Sequence, residues 1–394
     1  MSSSTLTSDA SSSDADARAA AAGAKRRTGA RALALFLVGA ASALITLTLL
    51  VFLPHDRFIL WQSLGTEAYA RLGWSYERIH FDPTPIDIAF IGTSHTMNGV
   101  DGSAFEARLA ADGVRGEDGR CLTATNFAIP AYGRNLHWEL AKELLENRRV
   151  RVLVLEVFEN ETRKSHPAFV HVADVHDVLT APPLINLNYF NDIARLPFRQ
   201  LSLWAESAQP KEFGLKTAFD PADYDGSTVD NTRVVNAGGV ALTPPRYSTV
   251  KLAKLEQVAK WRSRHKNLHM LGAGLAALEY RYPLHYLDGI LNEARRRGTQ
   301  VVFLYLPGYG WPDRPYDMSP YAGGGRWLFA NDILRQTAVW YDDDHLNAQG
   351  AAQLTTRIAD LMAAGLPHAS LGGPCKFGYP PRATLKPFQK QRGS

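Results

Sequence analysis

The sequence predicts an α/β protein whose parallel sheet is covered by helices on both faces, preceded by one membrane-spanning helix and interrupted by a large insertion. Two observations predict the sheet. Short apolar runs end at glycine or polar residues, as buried parallel strands do, and they alternate with amphipathic stretches of helical period. A third observation, a long uncharged stretch near the N-terminus, predicts the membrane helix.

The N-terminal region consists of a polar tail and an apolar stretch. Residues 1–24 are mostly Ser, Ala, Asp and Thr and include no aromatic residue, so we expect residues 1–31 to be a disordered cytoplasmic tail. Residues 32–53 carry no charge, and a helix of that length rises about 33 Å, enough to cross a bilayer. Basic residues stay on the cytoplasmic side of such a span, and here they are Lys25, Arg26, Arg27 and Arg31.

A cleaved signal peptide and a buried helix of a soluble domain are the two alternatives to a retained anchor. A signal peptide usually has a shorter apolar region followed by small residues, whereas Pro54 to Arg57 follow here. A buried helix normally shows a polar face, which residues 32–53 lack. Both comparisons favour the anchor, with residues 55–394 on the far side of the membrane.

The composition limits the classes of protein and partner. With 394 residues, 45% of them hydrophobic, the chain is long enough for one or two domains with real cores. A formal net charge of +4 is too mild to indicate a nucleic-acid partner. The two cysteines, Cys121 and Cys375, either pair in an oxidising compartment and tie the C-terminal tail to the domain, or stay free and buried.

Behind the anchor, residues 54–84 form a predicted juxtamembrane connection whose aromatic side chains suit the membrane interface. The α/β pattern occupies residues 85–370, and residues 371–394 form a predicted extended, basic tail. Predicted strands lie at 86–91, at the start of 121–133, at 150–158, at 299–307 and at the start of 338–347. Predicted helices lie at 104–113, 136–147, 283–298 and 348–365.

Residues 161–282 depart from this alternation and are rich in Asn, Asp, Pro and aromatic residues. We expect an insertion or lid that covers or shapes the site, because long irregular spans inside compact domains are usually functional. Within it, residues 250–268 have a helical pattern. A group of polar residues near its start either lines a lid or lies on a surface helix; it consists of His166, His171, Asp174 and His176.

Candidate catalytic residues stand at two predicted strand ends. Ser94 follows the first strand, and an Asp342-x-x-His345 loop follows the short strand that begins at residue 338. Open parallel sheets bind ligands at the carboxyl ends of their strands, so both segments can reach one crevice. A serine hydroxyl becomes a nucleophile when a base takes its proton and a third group orients that base. The sequence therefore predicts a Ser–His–Asp triad.

Three segments, "FIGTSHT", "TNFAIPAYG" and "YDDDHLNAQG", resemble the SGNH (GDSL-like) hydrolase superfamily. They are most similar to membrane-anchored envelope members such as the D-alanyl transfer protein of teichoic acid modification and the alginate O-acetylation proteins. The resemblance covers residues 86–160 and 283–365 and implies a three-layer α/β/α fold with a flavodoxin-like sheet. It also implies a single-pass protein of the bacterial plasma membrane, with its catalytic domain periplasmic or extracellular.

The resemblance implies a role for each matching residue. Ser94 would be the nucleophile, His345 the general base and Asp342 its partner. The family's oxyanion hole uses the N–H of the nucleophile, a glycine and an asparagine, for which Gly133 and Asn160 are the candidates. The block that carries the family's asparagine departs from the family pattern, because the chain has "LEVFEN" at residues 155–160 in place of Gly-x-Asn-Asp.

The implied function is an acyltransferase or esterase acting on acyl groups, most simply O-acetyl groups, of a cell-envelope polysaccharide. Envelope members often work beside a membrane-bound O-acyltransferase, which is therefore an expected partner, and neither a cofactor nor a metal is expected. The alternative is a non-catalytic SGNH-like domain that binds the polysaccharide or serves as an assembly factor in envelope export or modification.

Individual residues also have simpler interpretations. Ser94 can be an ordinary turn serine, and Asp342 to Asp344 with His345 can form a divalent-metal site, although no second ligand cluster has a recognisable spacing. His95 is expected to point away from Ser94 on an extended backbone and to be structural. A solvated rim is the expected role of three alternating acids, with substrate binding as the alternative; they are Glu156, Glu159 and Glu161.

Overall fold

A computed structural model of the chain describes residues 10–64, 69–159, 161–232, 235–237, 240–242, 248–265, 270–365, 370–371 and 375. Its strands are β1 (Ile88–Ile91), β2 (Val114–Arg115), β3 (Ala124–Asn126), β4 (Val152–Val157), β5 (Val235–Ala237), β6 (Val240–Leu242), β7 (Gln300–Tyr305), β8 (Arg326–Phe329) and β9 (Ser370–Leu371). Its helices are α1 (Ala10–Leu50), α2 (Arg57–Gln62), α3 (Ala70–His80), α4 (Ser94–Gly99), α5 (Gly102–Ala111), α6 (Arg134–Asn147), α7 (Phe169–Val172), α8 (Val175–Leu179), α9 (Tyr189–Ala208), α10 (Leu252–Arg264), α11 (Ala276–Glu279), α12 (Arg281–Arg297), α13 (Asn331–Leu334) and α14 (Ala348–Ala363). Single 3₁₀ turns occur at Pro210–Phe213, Ala273–Leu275, Ser319–Tyr321 and Thr337–Val339.

Five strands form one parallel sheet in the order β3-β1-β4-β7-β8. In chain order these are the second, first, third, fourth and fifth strands of the sheet, so the direction of winding reverses between β1 and β4. A sheet of this kind has a crevice at the carboxyl ends of the strands beside the reversal. The predicted α/β class and parallel sheet are confirmed, and the crevice is expected directly after Ile91.

Helices cover both faces of the sheet because side chains alternate along each strand. Ala89 and Ile91 of β1 belong to a core shared with α6 and α12, whereas Ile88 and Phe90 pack with residues of α5 and α14 on the other face. All residues of β1 and β4 are buried, as expected of strands covered on both sides. The loops at the carboxyl edge of this sandwich are thus left to form a site.

The fifth strand of the sheet is not the one that the sequence predicts. Residues 337–339 form a 3₁₀ turn, and Trp340 pairs with Leu346 in an isolated antiparallel bridge. The chain turns back at once to close the loop between these two residues, so the predicted strand at 338 is wrong. The sheet edge is formed by β8, which begins with Arg326 and is mostly half-buried. A search for apolar runs therefore misses it.

Helix α1 is longer than the predicted anchor. It begins at Ala10, inside the segment predicted to be disordered, and ends at Leu50 instead of residue 53. Residues 10–31 are rich in alanine, the best helix former, and they extend a helix that the apolar segment already nucleates. The part Ala30–Leu50 is a helix of 21 residues, long and apolar enough to cross a membrane, and it is not buried against the domain.

The segment after α1 packs into the domain. Phe58 and Trp61 of α2, and Trp74 and Tyr76 of α3, are buried in the core on one face of the sheet. Asp56 caps α2 by accepting two backbone N–H groups of its first turn. The prediction that these aromatic side chains face the membrane is wrong, because the core beside α6 takes up their apolar surface.

Part of the insertion forms a small core of its own. α7, α8 and α9 pack with the start of α12 around Phe169, Leu196 and Tyr282. The helix expected within residues 250–268 is present as α10. The insertion is therefore folded against the domain over much of its described length.

The two cysteines are paired. A disulfide joins Cys121 to Cys375, whose Cα atoms are 5.4 Å apart. The sequence leaves open whether the two cysteines pair or stay free, and in the structure they pair. The bond fixes residue 375 to the segment before β3, whereas the rest of the predicted basic tail, 376–394, lies outside the described residues.

Candidate active site

The structure brings Ser94, His345 and Asp342 together beside the carboxyl end of β1. Nε2 of His345 lies 2.8 Å from Oγ of Ser94. On the other side of the ring, Nδ1 lies 3.0 Å from both carboxylate oxygens of Asp342. Because an ionised carboxylate can only accept, Nδ1 carries the ring proton and donates it to Asp342. Nε2 then accepts from the Ser94 hydroxyl, which is the arrangement that general-base activation requires.

The charge of Asp342 is stabilised within its own loop. Its Oδ1 atom also accepts the backbone N–H groups of Asp344, at 2.8 Å, and His345, at 2.7 Å. Burial by itself raises the pKa of this carboxyl, but the hydrogen bond and charge of His345, with the two backbone N–H groups, hold the pKa well below its ordinary value. Asp342 therefore stays ionised and orients the His345 ring.

Ser94 stands in the first turn of a short helix that is bonded to the neighbouring strand. Thr93 caps α4 by accepting the N–H of His95 at 3.2 Å. Beneath the turn lies the carboxylate of Glu156, near the end of β4. It accepts four hydrogen bonds, from the backbone N–H and the hydroxyl of both Thr93 and Thr96, at distances between 2.5 and 3.3 Å. These bonds fix the Ser94 turn onto β4.

A second buried polar side chain holds the far end of the same helix. Asn126, the last residue of β3, donates through Nδ2 to the carbonyls of Thr96 and Val100, at 2.9 and 2.8 Å. Neither Asn126 nor Glu156 carried a predicted role in supporting Ser94. Asn126 does stand in one of the segments that resemble the SGNH superfamily, whereas nothing in the sequence pairs Glu156 with the Ser94 turn.

The prediction of a solvated acidic rim is wrong. Glu156 is 1% exposed and belongs to β4 itself. Glu161 forms an ion pair with the buried Arg134, 2.6 Å away, and accepts a hydrogen bond from Tyr321. Alternating acids are typical of a half-solvated strand, but here both faces of β4 are covered, and the carboxylates of Glu156 and Glu161 meet buried donors.

The carboxyl of Glu159 interacts electrostatically with His95 of the Ser94 turn and with Asp344 of the His345 loop. Its Oε1 atom is buried and accepts no hydrogen bond among the described residues, although the residue as a whole is partly exposed. Burial is the main cause that raises the pKa of Glu159 to about 6, and the charge of Asp344 adds to it, against the opposing charges of His95 and Arg262. This carboxyl therefore changes its charge close to neutral pH.

His95 is buried next to the triad and links α4 to the loops that carry Leu306 and Tyr132. Its Nδ1 donates to the carbonyl of Leu306, just beyond β7, at 2.8 Å, since a carbonyl can only accept. Nε2 then accepts from the hydroxyl of Tyr132 at 3.2 Å. The expected extended backbone is wrong, because residues 94–99 are helical. The His95 ring packs edge to face with that of His345, with centroids 5.5 Å apart.

The loop that carries Asp342 and His345 is clamped from outside by the insertion. Arg262 of α10 donates to the backbone carbonyls of Tyr309 and Asp343, at 2.6 and 2.9 Å. It also lies 2.6 Å from the carboxylate of Asp344, and its side chain is 6% exposed. The guanidinium supplies the positive charge that a metal ion would supply to these acids, so the metal interpretation gains no support from this loop.

The predicted oxyanion donors are located in part. The backbone N–H of Ser94, in the first turn of α4, has no acceptor among the described residues. Gly133 is the N-cap residue of α6, and a β-carbon there would lie 2.3 Å from Cβ of His166. Close packing therefore accounts for a glycine at this position. Asn160 lies outside the described residues.

The polar residues at the start of the insertion do not share one site. His166 is buried with its Nε2 2.7 Å from the carbonyl of Pro130, and burial lowers its pKa to about 4. Asp174 forms an ion pair with Lys142, 2.9 Å away, and the side chain of His176 is 82% exposed. These residues pack, pair or face solvent individually, so the structure gives no lid lined by them.

Comparisons with known proteins assign no family to the chain. No family model matches it, and no curated protein matches it. The geometry around Ser94 is therefore the basis for a functional proposal.

Proposed function

We propose that this protein is a membrane-anchored serine acyltransferase or esterase that acts on acyl groups, most simply O-acetyl groups, of a cell-envelope polysaccharide. The observation that carries the proposal is the chain of hydrogen bonds from Ser94 through His345 to Asp342, at 2.8 and 3.0 Å. The strand order, with Ser94 directly after the first strand, is that of flavodoxin-like sheets and supports the SGNH resemblance.

The reaction would follow from the proton positions in the triad. Ser94 Oγ attacks the ester carbonyl, its proton passes to Nε2 of His345, and Asp342 stabilises the imidazolium. The oxygen of the tetrahedral intermediate can accept the N–H of Ser94. Collapse of the intermediate breaks the bond to the leaving alcohol, which takes the proton from His345. Water or a sugar hydroxyl then attacks the acyl-serine, giving hydrolysis or transfer.

The proposed location is the bacterial plasma membrane, with the N-terminus in the cytoplasm and the catalytic domain outside. The span Ala30–Leu50 and the basic residues ahead of it support this orientation. The Cys121–Cys375 disulfide supports an oxidising compartment. A multipass membrane-bound O-acyltransferase is the expected partner in such an arrangement.

A serine-reactive fluorophosphonate probe tests the proposal on the full-length protein. Wild type and Ser263→Ala, which alters an exposed serine of α10, are expected to be labelled, whereas Ser94→Ala is not. Circular dichroism verifies that each variant is folded. Absence of labelling of folded wild-type protein would overturn catalysis and leave the polysaccharide-binding alternative. Acetate release compared with acetyl transfer to an oligosaccharide then distinguishes esterase from transferase.

A further inference from the structure

We propose that α9 lies in the surface of a lipid bilayer, with an outward apolar stripe inserted among the headgroups and the upper acyl chains. The inference depends on Ala30–Leu50 crossing a membrane. It is independent of the reaction proposed for Ser94.

α9 differs from an ordinary surface helix because it exposes a stripe of apolar side chains in addition to those that it buries, such as Leu196 and Leu203. Side chains spaced three or four residues apart share one helix face, and one such stripe on the outward face of α9 is apolar, beside the exposed polar residues Asn191, Arg195 and Ser202. Phe190 and Phe198 are 81% and 64% exposed, and the two residues that complete the far end are each more than 40% exposed. The apolar stripe consists of Phe190, Ala194, Phe198, Leu201 and Trp204.

The inward face of α9 is partly polar and is hydrogen-bonded to the protein. Asp192, Arg199 and Gln200 are buried. The Arg199 guanidinium donates to the carbonyls of Val170 and Ala173, both at 2.7 Å, at the end of α7. These bonds fix which side of α9 faces the domain, so the apolar stripe is directed outward by the fold.

α9 is hydrogen-bonded to the residues at the end of the candidate membrane span. Gln200 Nε2 donates to the carbonyl of Val51, the first residue after α1, at 3.2 Å. The backbone N–H of Asp56 donates to Ser207 Oγ at 2.9 Å. α9 is therefore bonded to the residues that leave the span, at the level where the bilayer surface must lie if α1 crosses the membrane.

The composition of the apolar stripe matches a lipid interface better than water. Interfacial helices carry Trp, Phe and Leu on one face and lie with that face about 5–10 Å deep in the headgroup and acyl boundary. The segment before α9 adds Leu184 and Leu187, which are 49% and 57% exposed. Contiguous apolar surface of this kind marks an interaction site, and the adjacent span makes a bilayer its occupant.

Depth measurement on the full-length protein in proteoliposomes tests the inference. An environment-sensitive fluorophore is attached to single introduced cysteines; the native cysteines are joined in a disulfide and do not react without a reductant. Phe198→Cys reports the apolar stripe, Ile45→Cys the span, and Thr356→Cys an exposed site of α14 on the opposite face of the sheet. Lipids carrying a nitroxide near the headgroup or deep in the acyl chain quench labels at matching depths.

The label at residue 198 is expected to show blue-shifted emission and stronger quenching by the shallow nitroxide than by the deep one. The label at residue 45 should be quenched by the deep nitroxide, and the label at residue 356 by neither. A label at residue 198 that behaves like the one at 356 overturns the inference. Blue-shifted but unquenched emission from the label at residue 198 would mean that protein covers the stripe. An unquenched label at residue 45 would mean that α1 does not cross the membrane. Either result also overturns the inference. Fluorophosphonate labelling of Ser94 reads out the proposed reaction separately.

Discussion

The two halves of the triad are held by different parts of the molecule. Ser94 is fixed from below by the sheet, through Glu156 of β4 and Asn126 of β3, both buried. The loop of His345 is fixed from outside, through Arg262 of the insertion. The buried hydrogen bonds that hold Ser94 in place therefore also contribute to the stability of the fold. We therefore expect the position of His345 to depend more on α10 than on the sheet.

The largest effect is expected for Glu156→Gln, on the sheet-held half. Glutamine keeps the size of the side chain but presents an NH₂ group to donors from Thr93 and Thr96. Each buried donor that loses its acceptor costs about 1–3 kcal/mol. We therefore expect a clear drop in the free energy of unfolding and slower fluorophosphonate labelling of Ser94, measured by denaturant unfolding and by labelling kinetics.

Glu293→Gln is the matched control for Glu156→Gln. Glu293 is 2% exposed and pairs with Arg297 at the end of α12, near the amino edge of the sheet. The Glu293→Gln variant should be less stable than the wild type, but its folded fraction should be labelled at Ser94 at the wild-type rate. Normal labelling of folded Glu156→Gln would show that Glu156 stabilises the fold but does not position Ser94.

A smaller change in stability, with a clear loss of rate, is expected for Arg262→Ala on the insertion-held half. Losing the guanidinium frees the loop of Asp342 and His345, and displacement of a catalytic group by about 1 Å can cost about 100-fold in rate. We expect labelling of Ser94 to slow by about 10- to 100-fold. Arg264→Ala, at an exposed position of the same helix, should leave the rate unchanged. An Arg262→Ala variant that unfolds as readily as Glu156→Gln would abolish the distinction between the halves.

The smallest effect concerns Glu159, whose pKa responds to both halves. Its folded-state pKa of about 6 lies above the ordinary 4.5, so the folded protein binds this proton more tightly than the unfolded chain. The contribution of Glu159 to stability should therefore fall as pH rises from about 4.5 to about 6 and stay lower above that, opposite in sign to the contribution of His166, whose pKa is lowered. Glu159→Gln cannot ionise and should remove this fall, worth about 1–2 kcal/mol. Thermal unfolding at about pH 4.5 and about pH 7.5 measures it.

Glu212→Gln provides the control for this pH dependence. Glu212 is exposed in the turn after α9, so its substitution should leave the slope of stability against pH as in the wild type. If Glu159→Gln retains the wild-type slope, the carboxyl of Glu159 is not the group that holds the proton.

The triad could be predicted from the sequence because its chemistry is rare and its topology is simple. Ser94 follows an obvious buried strand, and few loops place an acid three residues before a histidine. The supports could not be predicted. Glu156 stands 63 residues from Thr93, and Arg262 stands 82 residues from Asp344. Periodicity finds the strand and the helix that carry these side chains but gives no information on which distant segment they contact.

The fold was predicted wrongly where one local sequence pattern is compatible with more than one structural role. Aromatic side chains near a membrane span suit the interface, but Phe58 and Trp61 are buried in the core, while Phe198 of α9 is exposed. The strand β8 was missed because Arg326 begins it. Only packing between distant segments decides these cases.

The disulfide between Cys121 and Cys375 turns 254 residues of separation into one covalent ring. Ser94 lies before this ring in the chain, and His345 lies inside it near the closing bond. A protease that cuts once within the insertion would therefore leave two fragments still joined by the disulfide. In the cleaved protein, reduction of that bond would remove the covalent tie between His345 and Ser94.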